Sequence, residues 1–291
     1  MRGIACSILL LAVAIAPFGH AASEERLKPF ILAATDDGEL ADVVKAVQTR
    51  LSEGGFELMG DYSPLPETHV VVATSDRLKA VAAGTPRGAY GSVVRIGIAV
   101  RDGTTQVTYV NPRYVAEAYR MAADLSDVAA ALEAALGAQE AFGADGLRAQ
   151  KLRRYTYMFG MEAFDDVYEL GTFVSHDAAV AAVEDGFATS ALGKVYRLAI
   201  PGTDQVVYGV ALTADDEDAR GSTHMTTVDT GGHTRIAYLP YEILVQGNRV
   251  EALHLRFRMA VHFPDLGMGT FLQLRSAPAA VERALAGLVT P

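Results

Sequence analysis

Val94-Arg95-Ile96-Gly97-Ile98-Ala99-Val100-Arg101-Asp102-Gly103 is the stretch on which the fold turns. Its valines and isoleucines alternate with Arg95, Gly97, Ala99 and Arg101, the two-residue period of a strand that buries one face. Asp102-Gly103 supplies residues that tolerate the left-handed conformation of a tight hairpin turn. Gln106 to Val110 form the return strand, and Asn111-Pro112 ends it.

Upstream, Phe30 to Ala34 reads as a strand. A helix follows, with Asp36 as its expected cap, Glu39 three residues on, and Leu40, Val43, Val44, Val47 and Leu51 along one stripe up to Gly54-Gly55. Phe56 to Tyr62 and His69 to Thr74 read as strands, and Asp76 to Ala83 as a short helix. Downstream, helical pattern resumes at Tyr114, and Ser126 to Leu136, closed by Gly137, is a second helix.

The polar, glycine-containing stretch from Gly137 to Lys151 loses apolar periodicity and sits near the middle of the chain. Beyond it the plan repeats. Ser175 starts a helix ending near Asp185-Gly186-Phe187, and the strands Lys194 to Ile200 and Gln205 to Leu212 flank Pro201-Gly202. A hairpin is expected from Thr234 to Phe263, turning at Gly247-Asn248, and a last helix from Ser276 to Gly287. The pattern predicts an α+β protein with an internal duplication: a first domain over residues 22–140, a linker over 141–152 and a second domain over 153–291.

The N-terminus predicts export. Arg2, the apolar run Ile8 to Ile15 and the small residues at Gly19-His20-Ala21 fit a signal peptide over residues 1–21, cleaved after Ala21, and place the protein in the periplasm. Cys6, the single cysteine, leaves with it, so no disulfide, thiolate metal site or cysteine nucleophile is expected in the mature chain. With 25 lysines and arginines against 35 acids the net charge is −10, which argues against nucleic acid or anionic lipid as a general partner. No later stretch is apolar enough for membrane insertion.

The hairpin Val94–Gly103, with Val107-Thr108-Tyr109-Val110-Asn111-Pro112 and the helix from Tyr114, resembles the end of the bacterial domain of unknown function 302 family. Leu239-Pro240-Tyr241-Glu242-Ile243-Leu244-Val245 resembles that family's Leu-Pro strand in a second, more diverged copy. Val94-Arg95 replaces Leu-Pro in the first copy, and His262-Phe263-Pro264 replaces the Tyr pattern in the second. The resemblance implies two related domains, each a curved antiparallel sheet with helices packed on one face and the other face available. It transfers no catalytic residues.

In the second strand of the Thr234–Phe263 hairpin, Leu253, Leu255, Phe257, Met259, Val261 and Phe263 alternate with His254, Arg256, Arg258, Ala260 and His262. If the strand runs through, His254, Arg256, Arg258 and His262 form a cationic row on one face, suited to a carboxylate, phosphate or sulfate. The competing reading pairs the arginines with Glu242, Glu251 or the acidic loop Asp215-Asp216-Glu217-Asp218. His224, Met225 and His233 are weak candidates for copper, with Met259, His262 and Met268 within possible reach. The acids of 215–218 are contiguous, unlike the alternating ligands of a calcium loop.

Tyr155, Tyr157, Met158, Phe159, Met161, Phe164, Tyr168 and Phe173 either line a junction pocket or seal the junction as core. No phosphate loop, nucleophile elbow or His-Glu-x-x-His helix is present; His262/Asp265 and His176/Asp177 are pairs that an enzymatic reading could use, and that reading ranks last. The expected function is a non-enzymatic periplasmic binding or accessory module, without a cofactor, for a small anionic or amphipathic ligand. The alternatives are a module that docks another envelope protein and a copper-binding protein.

Overall fold

The computed structural model describes residues 25–290; the expected signal peptide, residues 1–21, lies outside them. The first half comprises β1 (Arg26–Leu27), β2 (Phe30–Asp36), α1 (Leu40–Glu53), β3 (Glu57–Tyr62), β4 (Thr68–Thr74), α2 (Asp76–Ala83), β5 (Val94–Arg101), β6 (Thr104–Val110), α3 (Pro112–Ala118), α4 (Ser126–Leu136) and β7 (Glu140–Phe142). Next come β8 (Leu147–Arg148) and the single turn α5 (Ala149–Leu152). The second half comprises β9 (Val167–Thr172), α6 (His176–Thr189), β10 (Gly193–Ala199), β11 (Gln205–Ala211), α7 (Gly221–Val228), β12 (Tyr241–Gln246), β13 (Arg249–Leu253), α8 (Leu255–His262), α9 (Met268–Gln273) and α10 (Ala277–Ala286).

These elements make an α+β protein with antiparallel sheets. The first sheet has the order β3-β4-β5-β6-β2-β7 and the second β10-β11-β12-β13-β9. In both, the strand that comes first in sequence within the sheet lies beside the last strand of the meander: β2 pairs with β6, and β9 with β13. The deciding hairpin forms as its residues dictate, with Asp102 and Gly103 both left-handed at φ 51° and 81°. Helix α1 packs on β3, β4 and β5, and α6 on β12 and β13. The cap of α1 differs from expectation. Asp36 accepts from the Gly38 N–H at 2.7 Å in a local turn, and Glu39 is the cap residue.

Three larger departures bear on function. The first is the segment after Leu253, where the strand stops and α8 begins. The His254 ring caps it, Nδ1 accepting from the Arg256 N–H at 3.2 Å. Alternation misled because α8 is buried nearly all round, through Leu255, Phe257, Met259, Ala260, Val261 and also Arg258 and His262. A helix enclosed on every side carries no amphipathic period, so its residues satisfy either template.

The second departure is the sheet face expected to be available. A side chain at Gly97 would place Cβ 2.6 Å from Ile236 and 2.7 Å from the Ala237 nitrogen, so the second half lies directly on β5. Gly60 on β3 meets the Val195 carbonyl of β10 in the same way. The buried apolar side chains of both halves form one contiguous cluster. The third is the expected linker. β7 joins the first sheet beside β2, β8 pairs with β1, and Leu152 of α5 is fully buried. The helix from Ser175 also runs through Gly186 to Thr189, because that glycine lies against the Leu288 carbonyl, where a Cβ would clash.

Candidate functional site

The structure disperses the four cations expected on one strand face. Arg256 is exposed and gives Nη1 to Glu162 Oε1 at 2.8 Å, and His254 Nε2 stands 3.5 Å from the same carboxylate. Arg258 and His262 point the other way and are sealed in the seam between the halves. The shared cationic row is therefore absent, because a helix rotates successive residues by about 100° instead of alternating them.

In the seam, Arg95, Glu242, Arg258 and His262 are 3, 1, 0 and 1 % exposed. Arg95 on β5 donates Nη1 to Glu242 Oε2 on β12 at 2.8 Å, and Arg258 Nη2 lies 3.5 Å from the same oxygen. The Tyr196 hydroxyl donates to Glu242 Oε1 at 2.9 Å. Arg258 also donates Nη2 to the carbonyls of Tyr238 and Pro240 at 2.8 and 2.5 Å, and its guanidinium lies 4.3 and 4.8 Å from the rings of Tyr238 and Tyr241. Two guanidiniums thus share one carboxylate, and aromatic faces take up part of the remaining charge. Burial pushes the Tyr196 and Tyr238 phenols above their usual range, so both stay neutral; Tyr196 is the donor to Glu242, whereas the Tyr238 hydroxyl is buried without a hydrogen-bond partner.

His262 can exist here in one form. Arg95 Nη2 lies 3.0 Å from Nε2 and can only donate; the Arg258 carbonyl lies 2.8 Å from Nδ1 and can only accept. The ring is therefore neutral, with its proton on Nδ1. Burial, then Arg95 and Arg258, hold its pKa well below the usual histidine range. The pairing reading of the sequence thus describes Arg258, although the pair is buried and not solvated. Tyr114 and Tyr155 donate to the carbonyls of Val261 and Ala260 at 2.7 and 3.0 Å, satisfying the end of α8.

The other candidates separate. His224 is buried, with Nε2 2.7 Å from the Asp218 carbonyl, and Met225 is fully buried core beside it in sequence. His233 sits edge-on to Phe142, with Nε2 3.3 Å from Glu140. Among the described residues no group of three or more His, Cys, Asp or Glu could hold a metal ion. Asp216 accepts from the Asp218 N–H and pairs with Arg283 at 3.2 Å. Asp265 is bound twice by Arg235 and His176 Nδ1 meets the Gly247 carbonyl, so neither sequence pairing of histidine with aspartate forms. In the aromatic run, Phe164 seals the junction by stacking on Tyr119 and packing on Phe257, whereas Phe159 is wholly exposed.

Open, cationic space occurs elsewhere. One groove of about 560 Å³ is lined by Arg120, Gln150, Arg153, Arg154 and Ala163. A second of about 570 Å³ is lined by Arg26, Leu147, Arg148, Gln150, Lys151 and Arg154. They share Gln150 and Arg154, and no acid lines either. Arg153 is tethered by Glu117 at 3.1 Å and Arg120 by Asp165 at 2.6 Å, so these two cations are already paired with acids. Arg26 and Arg148 are direct cross-strand partners in the β1–β8 pair, and Arg26 Nε donates to the Asp145 carbonyl at 3.1 Å. The sequence signal was available. Residues 146–161 hold Arg148, Lys151, Arg153 and Arg154 and no acid, a run that begins in the aperiodic stretch Gly137 to Lys151 and continues past it.

No family model matches the chain, and neither a curated protein nor a solved structure matches it.

Proposed function

We propose that the protein is a non-enzymatic binding or accessory module for an anionic ligand, acting in the periplasm after signal cleavage, and that the adjoining grooves around Gln150 and Arg154 hold the ligand. One observation carries this reading: six cations and no acid line the two grooves of a chain in which acids outnumber bases by 35 to 25. Charge segregated against the average concentrates anions locally, and guanidiniums suit phosphate, sulfate or carboxylate oxygens. We also propose that the halves are tandem copies of one unit, supported by their common strand order and by the resemblance of Val94–Pro112 to the domain of unknown function 302 family.

Titration calorimetry with inorganic tripolyphosphate tests the site. Binding should weaken with salt and fall about tenfold or more in the Lys151→Glu/Arg154→Glu variant. Equal binding by that variant, or none by the parent at low salt, removes the grooves from the account.

A further inference from the structure

The chain segment that lines the grooves ends in an apolar tip. Of the six large apolar side chains left exposed among the described residues, Met158, Phe159, Met268 and Leu272 belong to two neighbouring pieces of chain. The first is a tight turn in which Met161 N–H donates to the Met158 carbonyl and Gly160 is left-handed at φ 81°, leaving Phe159 wholly in solvent. The second is α9, which has no buried residue and whose Met268 and Leu272 lie one helical turn apart. Tyr157 joins the two: its ring packs 4.5 Å from Phe271 of α9 and its hydroxyl donates to the Leu266 carbonyl at 2.8 Å. Chain reach keeps this tip near the grooves, because Arg154 and Ala163 line a groove on either side of the turn, each within a few residues of Phe159. At roughly 3.6 Å per residue the separation is at most about 18 Å.

We propose that this end of the molecule docks on an anionic phospholipid surface, the tip entering the headgroup region while the groove cations meet lipid phosphates. The proposal rests on the anion-binding reading above and names its ligand class. Charge complementarity selects the occupant. A zwitterionic or neutral surface would use the apolar tip alone, whereas an anionic bilayer uses both features and repels the remaining acidic surface, which fixes one orientation. The acidic total charge argues against such a partner only as an average over the whole surface. No helix of the described residues is long and apolar enough to span a bilayer, so the contact is peripheral.

Vesicle sedimentation with the full chain tests this, since anything residues 1–24 contribute is common to every variant. Parent protein should sediment with phosphatidylcholine–phosphatidylglycerol vesicles in low salt, several-fold more than with phosphatidylcholine alone, and be released by high salt. Phe159→Ser and Lys151→Glu/Arg154→Glu should each lower partitioning about tenfold, with unchanged thermal unfolding. If neither variant changes partitioning, or if phosphatidylglycerol adds nothing, lipid docking is overturned. Retained, groove-dependent tripolyphosphate binding would then leave the anion-binding reading standing and point to a soluble anion or an acidic protein face. Loss of both bindings would sink both readings.

Discussion

Arg258 and Arg154 carry the same guanidinium into opposite surroundings. Arg258 has no exposure, shares Glu242 with Arg95 and lies against tyrosine rings; Arg154 stands between two open grooves with no acid in their lining. The first is committed to the seam, through Glu242 and the carbonyls of Tyr238 and Pro240, and a ligand could reach it only by opening that seam. The second remains available. A cation's usefulness for recognition thus depends on whether the fold leaves it reachable, which a residue pattern does not reveal.

The comparison breaks most sharply at Glu242. Glu242→Gln leaves Arg95 and Arg258 buried without a counter-ion and should cost about 3–5 kcal/mol, read as a lowered denaturant midpoint. A loss no larger than that of a surface substitution would show that the seam is wet or open. Gly97→Val asks whether the halves press together as closely as described. With Ile236 and the Ala237 backbone inside 3 Å of the new Cβ, it should cost about 2–3 kcal/mol. A neutral result in the same denaturation assay would contradict the close approach.

The reasons for legibility differ between these regions. The hairpin Val94–Val110 was readable because one of its faces packs on helices and because Asp102-Gly103 has few alternative uses. The helix Ser126–Leu136 was readable by its one-sided pattern and its closing Gly137, although Leu125 and not Ser126 stands at the N-cap and supplies no side-chain cap. Leu255–His262 was not, since enclosure erases the helical period and the strand before it ends without a proline; the first half has Asn111-Pro112 at the equivalent point. The covering of the open sheet face rests on long-range contacts such as Gly97 to Ile236, which no local pattern records. The grooves are legible as a run of cations without acids, a signal that apolar periodicity does not carry.

Acid should expose the seam's histidine. His262 stays neutral in the fold while an unfolded chain binds its proton near pH 6.5, so stability is complete above that value and falls below it. The contribution is about 1.4 kcal/mol for each pH unit until the folded pKa is reached. Denaturation of His262→Asn between pH 7 and pH 5 should show a shallower pH dependence than the parent; identical slopes would place the titration elsewhere. The smallest effect is expected in the grooves. Lys151→Glu/Arg154→Glu should change stability by no more than about 0.5 kcal/mol, because neither side chain is buried. A loss of several kcal/mol would mean that these cations, too, are structural.

The contrast between closed and open arginines can be read in one labelling measurement. Native protein treated with an arginine-specific dicarbonyl reagent and analysed by peptide mass spectrometry should gain label at Arg154, with tripolyphosphate slowing that gain, while Arg95 and Arg258 react only after unfolding. Labelling of Arg258 in the folded protein at the rate of Arg154 would contradict the account.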